Sequence, residues 1–239
     1  MSNLIKGVLF DLDNTLMNFL RMKEQAISAT VFAIIDSEMD LDYHEAKKEI
    51  YGLYTETHME DPAVFQKFLK LHNCSNPDKI IAKALVAYRK AKSANMLPYP
   101  GVKLTLFKLK AMGIKLGIVS DAPRINAWKR LVELGLEDFF DVVITYDDVG
   151  VHKPAKLPFD RAQASLGLNI NEILFVGDNP LRDVKGANNF GFVTAFAKYG
   201  YFNTMLPVSP RPEDIAEIIK KVKPNFVLEK FSDILDILK

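Results

Sequence analysis

Two runs of carboxylates in this 239-residue chain are notable for where they sit. Asp11-Leu12-Asp13-Asn14-Thr15 follows residues 5–10, a short apolar run that ends abruptly at Asp11. Such a run reads as a strand buried on both faces of a parallel sheet. Side chains two apart in an extended chain point the same way, so Asp11 and Asp13 converge. Gly177-Asp178-Asn179-Pro180-Leu181-Arg182-Asp183 follows a second run of this kind, residues 173–176. If the two strands are neighbours, up to four carboxylates share a few ångströms, and each like-charge pair at 4 Å costs about 4 kcal/mol at an effective dielectric of 20. A divalent cation removes that cost. All-oxygen ligands with few protein contacts suit Mg²⁺, which also brings in phosphate oxygens.

Each run also has a plainer reading. Asp and Asn favour turns after strands, and Asp178 or Asn179 can cap a helix that begins at Pro180, with Asp183 near the positive end of its dipole. Two further strand ends contribute: Ser120 and Asp121 follow residues 114–119, and Val151-His152-Lys153-Pro154 follows residues 142–145. A lone Ser there is ordinarily a turn former and a lone Lys ordinarily solvated. The information lies in the ordered set.

The elements that position these residues alternate. Short apolar strands at 5–10, 114–119, 142–145, 173–176 and 192–196 are separated mostly by helical patterns, which predicts an α/β fold. Val102, Leu106, Leu109 and Met112 recur at helical spacing before Gly113, as do Ile125, Trp128, Leu131 and Leu134 before Gly135. Residues 17–97 break the alternation, with no strand pattern over a length no structureless loop has in a compact domain. Apolar positions there mark four helices: Phe19, Met22, Ala26 and Ile27; then Tyr43 to Thr57; then Phe65, Phe68 and Leu69; then Ile80 to Tyr88. Asp61-Pro62 and Asn76-Pro77 read as N-cap plus first-turn proline pairs. The return through Leu97-Pro98-Tyr99-Pro100-Gly101 reads as a stiff hinge. The organisation expected is a core domain of residues 1–16 and 98–239, a Rossmann-like parallel sheet with helices, carrying an inserted all-helical cap of residues 17–97. The tail is read as a helix over 212–222, a strand Phe226-Val227-Leu228 and a last helix capped by Ser232.

With these residues in view, the chain resembles the haloacid dehalogenase (HAD) superfamily. Its motifs are matched by Asp11, Asp13 and Thr15, then Ser120, then Lys153, then Asp178 and Asp183, and the likeness continues into Gly186, Ala187 and Gly191. An insertion between the first two motifs is similar to the family's first class of helical cap. Two positions depart from the pattern: Asn14 stands where Gly is commonest, and Lys156 where a second proline is frequent, so that Lys156 competes with Lys153 for the lysine role.

The resemblance implies a Mg²⁺-dependent phosphatase acting on a small phosphorylated metabolite. Asp11 is then the nucleophile that forms an aspartyl phosphate, and Asp13 the general acid and then base. Ser120, Asp121, Lys153 and Arg124 face the phosphate or substrate. Asp11, Asp178, Asp183 and the carbonyl of Asp13 hold the metal, and Thr15 supports the loop. Asn18, Phe19 and Arg21 are candidate leaving-group contacts, against plainer readings as cap core for Phe19 and solvated surface for the others. A dehalogenase is disfavoured by Asp13, a phosphomutase remains open because it uses the same covalent intermediate, and a phosphate-sensing module without turnover is the alternative from another class.

Composition narrows the partners. Lys plus Arg 31 against Asp plus Glu 30 leaves a formal charge of +1, with no long-range field for nucleic acid or an anionic bilayer. No apolar stretch approaches a membrane span, and no signal peptide, repeat or low-complexity tract is evident. The single cysteine, Cys74, fits a reducing compartment, so the cytoplasm is expected. His44, His58, His72 and His152 lack metal-ligand spacing.

Overall fold

A computed structural model describes residues 5–37, 39–57, 60–74, 76–201 and 212–238; His58 lies outside them. The chain divides into two compact units, Met1–Leu20 with Met96–Lys239, and Arg21–Asn95. Phe19 and Leu20, inside the expected insertion, belong to the first.

The first unit is built on six strands: β1 Gly7–Phe10, β2 Lys115–Val119, β3 Val142–Ile144, β4 Ile173–Gly177, β5 Val193–Ala197 and β6 Phe226–Leu228. All pair in parallel, in the order β3-β2-β1-β4-β5-β6. The chain winds outward from β1 to β3, then returns to place β4 beside β1. The β1/β4 boundary is therefore a topological switch point, where loops at the strands' carboxyl ends diverge and leave room for a ligand. The β1 ladder is shorter than the apolar run, although Lys6 still bonds through its N–H to Glu172, just before β4, and through its carbonyl to Lys115 of β2.

The apolar runs of β1 and β4 are buried residue by residue because both faces of the sheet are covered. The helices in chain order are α1 Phe19–Ile35, α2 Tyr43–Glu56, α3 Val64–Leu71, α4 Pro77–Ala94, α5 Val102–Ala111, α6 Arg124–Leu134, α7 Tyr146–Val149, α8 Lys156–Leu166, α9 Lys185–Phe190, α10 Lys198–Tyr201, α11 Pro212–Val222 and α12 Ile234–Ile237. Leu9, Val119 and Phe175 share a core with Phe159, Ala162 and Leu166 of α8 and Ala187 of α9. Phe10, pointing the other way, stacks on Phe231 at 5.6 Å between centroids.

Four local expectations are corrected. The buried stripe of α6 is Ala127, Arg130, Leu131 and Leu134, while Ile125 and Trp128 face outward; a small residue at 127 lets the helix approach closely and turns it by one position. In α5, Thr105 takes the inward place expected of Met112, which is half exposed at the helix end. Asp61 does not cap α3 directly, because two turn residues intervene before Val64; it accepts from the Ala63 N–H at 2.8 Å and from Lys67 Nζ at 2.7 Å. At the tail, Asp233 rather than Ser232 ties down the turn, accepting from the N–H groups of Glu229 and Lys230.

The second unit contains α2, α3, α4 and most of α1. Ile27, Val31, Ile34, Ile50, Tyr54, Phe65, Phe68 and Ile80 close one apolar core among them. Asp42 caps α2, accepting from the N–H groups of His44 and Glu45 at 2.9 Å each. Among the described residues no helix is long and apolar enough to cross a membrane.

Candidate active site

The site is assembled at the switch point. Asp11 is the first residue beyond β1, and its N–H still donates to the Val176 carbonyl of β4 at 2.9 Å, which fixes its backbone between the two strands. The chain then turns sharply. Asn14 adopts φ +60, a left-handed conformation that suits glycine first and asparagine next, which is why this departure from the family pattern is tolerated. Its side-chain oxygen accepts from the Leu20 N–H at 3.2 Å. Thr15 closes the turn: its hydroxyl accepts from the Asp178 N–H at 3.1 Å and lies 3.3 Å from Asp11 Oδ2.

After β4, Asn179 accepts from the N–H groups of Leu181 and Arg182, capping a wide turn over Pro180–Val184. That turn carries Asp183 back beneath Gly177. A Cβ on Gly177 would fall 2.5 Å from the Asp183 Cβ, so only glycine permits the approach. Asp183 Oδ2 accepts from the Asn179 N–H at 2.9 Å.

Lys153 reaches into this cluster from the loop between α7 and α8. Its Nζ lies 2.6 Å from Asp11 Oδ1 and 2.7 Å from Asp183 Oδ1, and donates to the Val119 carbonyl at 2.9 Å. Lys156, the competing lysine, is exposed on α8, with its Nζ 5.6 Å from the Phe190 ring centre. Ser120, buried at the end of β2, accepts the Ala122 N–H at its hydroxyl. Both oxygens of Asp121 are engaged, one by the Lys153 N–H at 2.9 Å and one by Arg182 Nη1 at 3.1 Å. Arg124 is not drawn in; its guanidinium is exposed and paired with Asp148 at 2.5 Å. Asn18 is half buried in the sheet unit, and Arg21 is exposed in the helical one.

Charge is unbalanced in this pocket. Asp11, Asp178 and Asp183 are all buried, and each offers an oxygen within 4.8 Å of the others. Burial pushes the Asp11 carboxyl up to about 7 despite the opposing ammonium of Lys153, with Asp183 and Asp13 adding to the rise. Asp178 is raised well above its ordinary range, by burial first and then by Asp11 and Asp183. Lys153 is raised because Asp11 and Asp183 more than offset the effect of its burial. Three buried carboxylates against one ammonium form a site short of positive charge, and hard oxygen donors fit Mg²⁺.

Sequence reasoning missed two residues. Arg130, on the inward stripe of α6, is fully buried and donates from Nη1 to Asp13 Oδ2 at 2.7 Å. Its guanidinium lies 4.6 Å from the centre of the Phe19 ring, which is therefore packed in the sheet unit rather than in the core of the insertion. The signal was legible, since a charged residue stands in the i, i+3, i+4, i+7 register of Ala127, Leu131 and Leu134. The second is Gly200: a Cβ there would fall 1.7 Å from the Asn14 carbonyl oxygen. Its neighbour Tyr199 donates to the Thr15 carbonyl at 2.9 Å, so α10 supports the Asn14 turn from behind. Nothing in the local sequence announces that contact.

Comparison with known proteins agrees with this geometry. Residues 8–197 match the haloacid dehalogenase-like hydrolase family. A glyceraldehyde 3-phosphate phosphatase of Methanopyrus kandleri is 33% identical, covering 99% of this chain and 98% of its own. The pyrophosphatase PpaX of Halalkalibacterium halodurans is 32% identical over 98% and 97% of the two chains. In fold, YfnB from Bacillus subtilis, solved bound to magnesium, superposes with a TM-score of 0.66 at 20% identity, covering 98% of each chain. The chain belongs to the haloacid dehalogenase-like hydrolase family.

Proposed function

We propose that this protein is a Mg²⁺-dependent phosphatase that hydrolyses a small phosphate monoester through an aspartyl phosphate on Asp11. The observation that carries the reading is the cluster itself: Asp11 stands at the switch point with Lys153 on one oxygen, and Asp178 and Asp183 lie beside it.

In the first step, an Asp11 oxygen attacks phosphorus, the bond to the leaving oxygen breaks, and the proton of Asp13 passes to that oxygen. In the second, water attacks the phosphoryl group, Asp13 takes its proton, and the bond to Asp11 breaks to release phosphate. Lys153 and the Ser120 hydroxyl hold the phosphoryl oxygens, and Thr15 keeps the turn in shape. Asp11, Asp178, Asp183 and the carbonyl of Asp13 would hold the metal. Bound there, Mg²⁺ neutralises the carboxylates and draws charge from the phosphoryl oxygens. The helical unit Arg21–Asn95 serves as the family's cap, which selects the leaving group. The names of the relatives support a three-carbon phosphate as the first substrate to test and pyrophosphate, an anhydride, as the second.

The test is hydrolysis of para-nitrophenyl phosphate and a panel of small phosphate esters with Mg²⁺, wild type beside Asp11→Asn. Turnover should fall at least ~10³-fold in the variant, because an amide cannot act as the nucleophile. It should stop in excess EDTA and return with Mg²⁺. Near-wild-type turnover by Asp11→Asn would refute the mechanism.

A further inference from the structure

Arg130 has the largest side chain among the fully buried residues, and no step above uses it. Leucine would fill its place on the apolar stripe of α6. A buried arginine is retained only if its charge is met, since desolvating a guanidinium costs several kcal/mol. The pair it makes is asymmetric: the arginine side chain is 2% exposed, and that of Asp13 24%. One partner is fixed inside the protein and the other is partly exposed.

The cation is fixed from two directions. Nη1 points at Asp13 Oδ2, and the guanidinium lies against the Phe19 ring, which takes up the remaining freedom of a planar group. An ammonium has neither the plane nor the fork. Asp13 stands two residues after Asp11 in a tight turn, so its backbone alone does not set the direction of its carboxyl.

We infer that Arg130 is a positioning residue for proton transfer: by holding Oδ2 of Asp13 it fixes the direction of the carboxyl that exchanges a proton with the leaving group. The inference rests on the reading of Asp13 as general acid. It predicts a defect confined to leaving groups that need a proton, which a merely structural role would not produce.

The experiment measures kcat/KM, which reports steps through departure of the first alcohol, for two esters. One is para-nitrophenyl phosphate, whose phenolate leaves unprotonated; the other is glycerol phosphate, whose alkoxide cannot. Variants are Arg130→Met, Arg130→Lys, Asp13→Asn and the double Arg130→Met/Asp13→Asn, with Trp128 fluorescence confirming the fold. Arg130→Met should lower kcat/KM on the alkyl ester ~10²-fold, with a loss at least ~20 times that on the aryl ester. Arg130→Lys, which keeps the charge and guards against a failure to fold, should show the same selectivity at smaller size. In the double variant the alkyl loss should equal that of Asp13→Asn alone. Equal losses on both esters from the Arg130 variants, or losses that multiply in the double variant, would overturn the inference. If Asp13→Asn itself lost both esters equally, the assignment of Asp13 would fail first and separately.

Discussion

Removing divalent cations should reverse the usual dependence of stability on pH. Asp11 sits at about 7 in the fold against 3.8 ordinarily, so between those values the folded protein holds a proton that the unfolded chain releases. The stability contributed by Asp11 therefore falls as pH rises through this window and levels off above about 7. At about 1.4 kcal/mol per pH unit, the full loss is about 4 kcal/mol, with about 2 kcal/mol of it between pH 5 and 7. Asp178, raised in the same direction, adds to the loss. Asp141 and Asp148 are lowered, and their opposite slope is complete below about pH 5. The assay is urea unfolding in EDTA at several pH values, followed by the fluorescence of Trp128, the chain's one tryptophan, which lies on α6 and so reports the sheet unit. Mg²⁺ at 100 times its Kd should add about 2.7 kcal/mol at pH 7 and flatten the slope by keeping the carboxylates ionised. Asp11→Asn should diminish the slope in EDTA. A flat or rising profile from pH 5 to 7 in EDTA, or a slope undiminished in Asp11→Asn, would refute the account of crowded buried carboxylates.

Three further outcomes follow from the geometry. Lys153→Met should lower kcat/KM by at least ~10², as loss of a preorganised charge at a transferring group does, while Lys156→Met should stay within about twofold; matching losses in para-nitrophenyl phosphate assays would contradict the placement of the two ammonium groups. Gly200→Ala should displace the Asn14 turn and cost at least about tenfold in kcat, because its Cβ would sit 1.7 Å from a carbonyl oxygen. Gly52→Ala, inside α2 with nothing within 4 Å of the new atom, should instead stabilise by about 0.5–1 kcal/mol in thermal unfolding. Activity unaffected by Gly200→Ala would show that α10 does not constrain the turn.

The sequence by itself determined the fold class and the residues that could do the chemistry. Strands buried on both faces leave uninterrupted apolar runs, and acidic motifs at their ends are local features that survive in one dimension. The helical insertion was legible for the same reason, since four amphipathic periods cannot be a loop. What the sequence left open was every question of register and partner. Whether Lys153 or Lys156 meets Asp11 depends on how a loop returns over the sheet, and only the ion pairs of Lys153 with Asp11 and Asp183 decide it. The inward turn of α6, set by packing of Ala127 rather than by the strongest apolar positions, exchanged Trp128 for Arg130 and brought an arginine to Asp13. Gly200 lies 186 positions beyond Asn14, yet almost touches it. Such contacts are long-range, made by burial of small or charged residues whose types carry no periodic signal, so they exist only once the sheet is assembled.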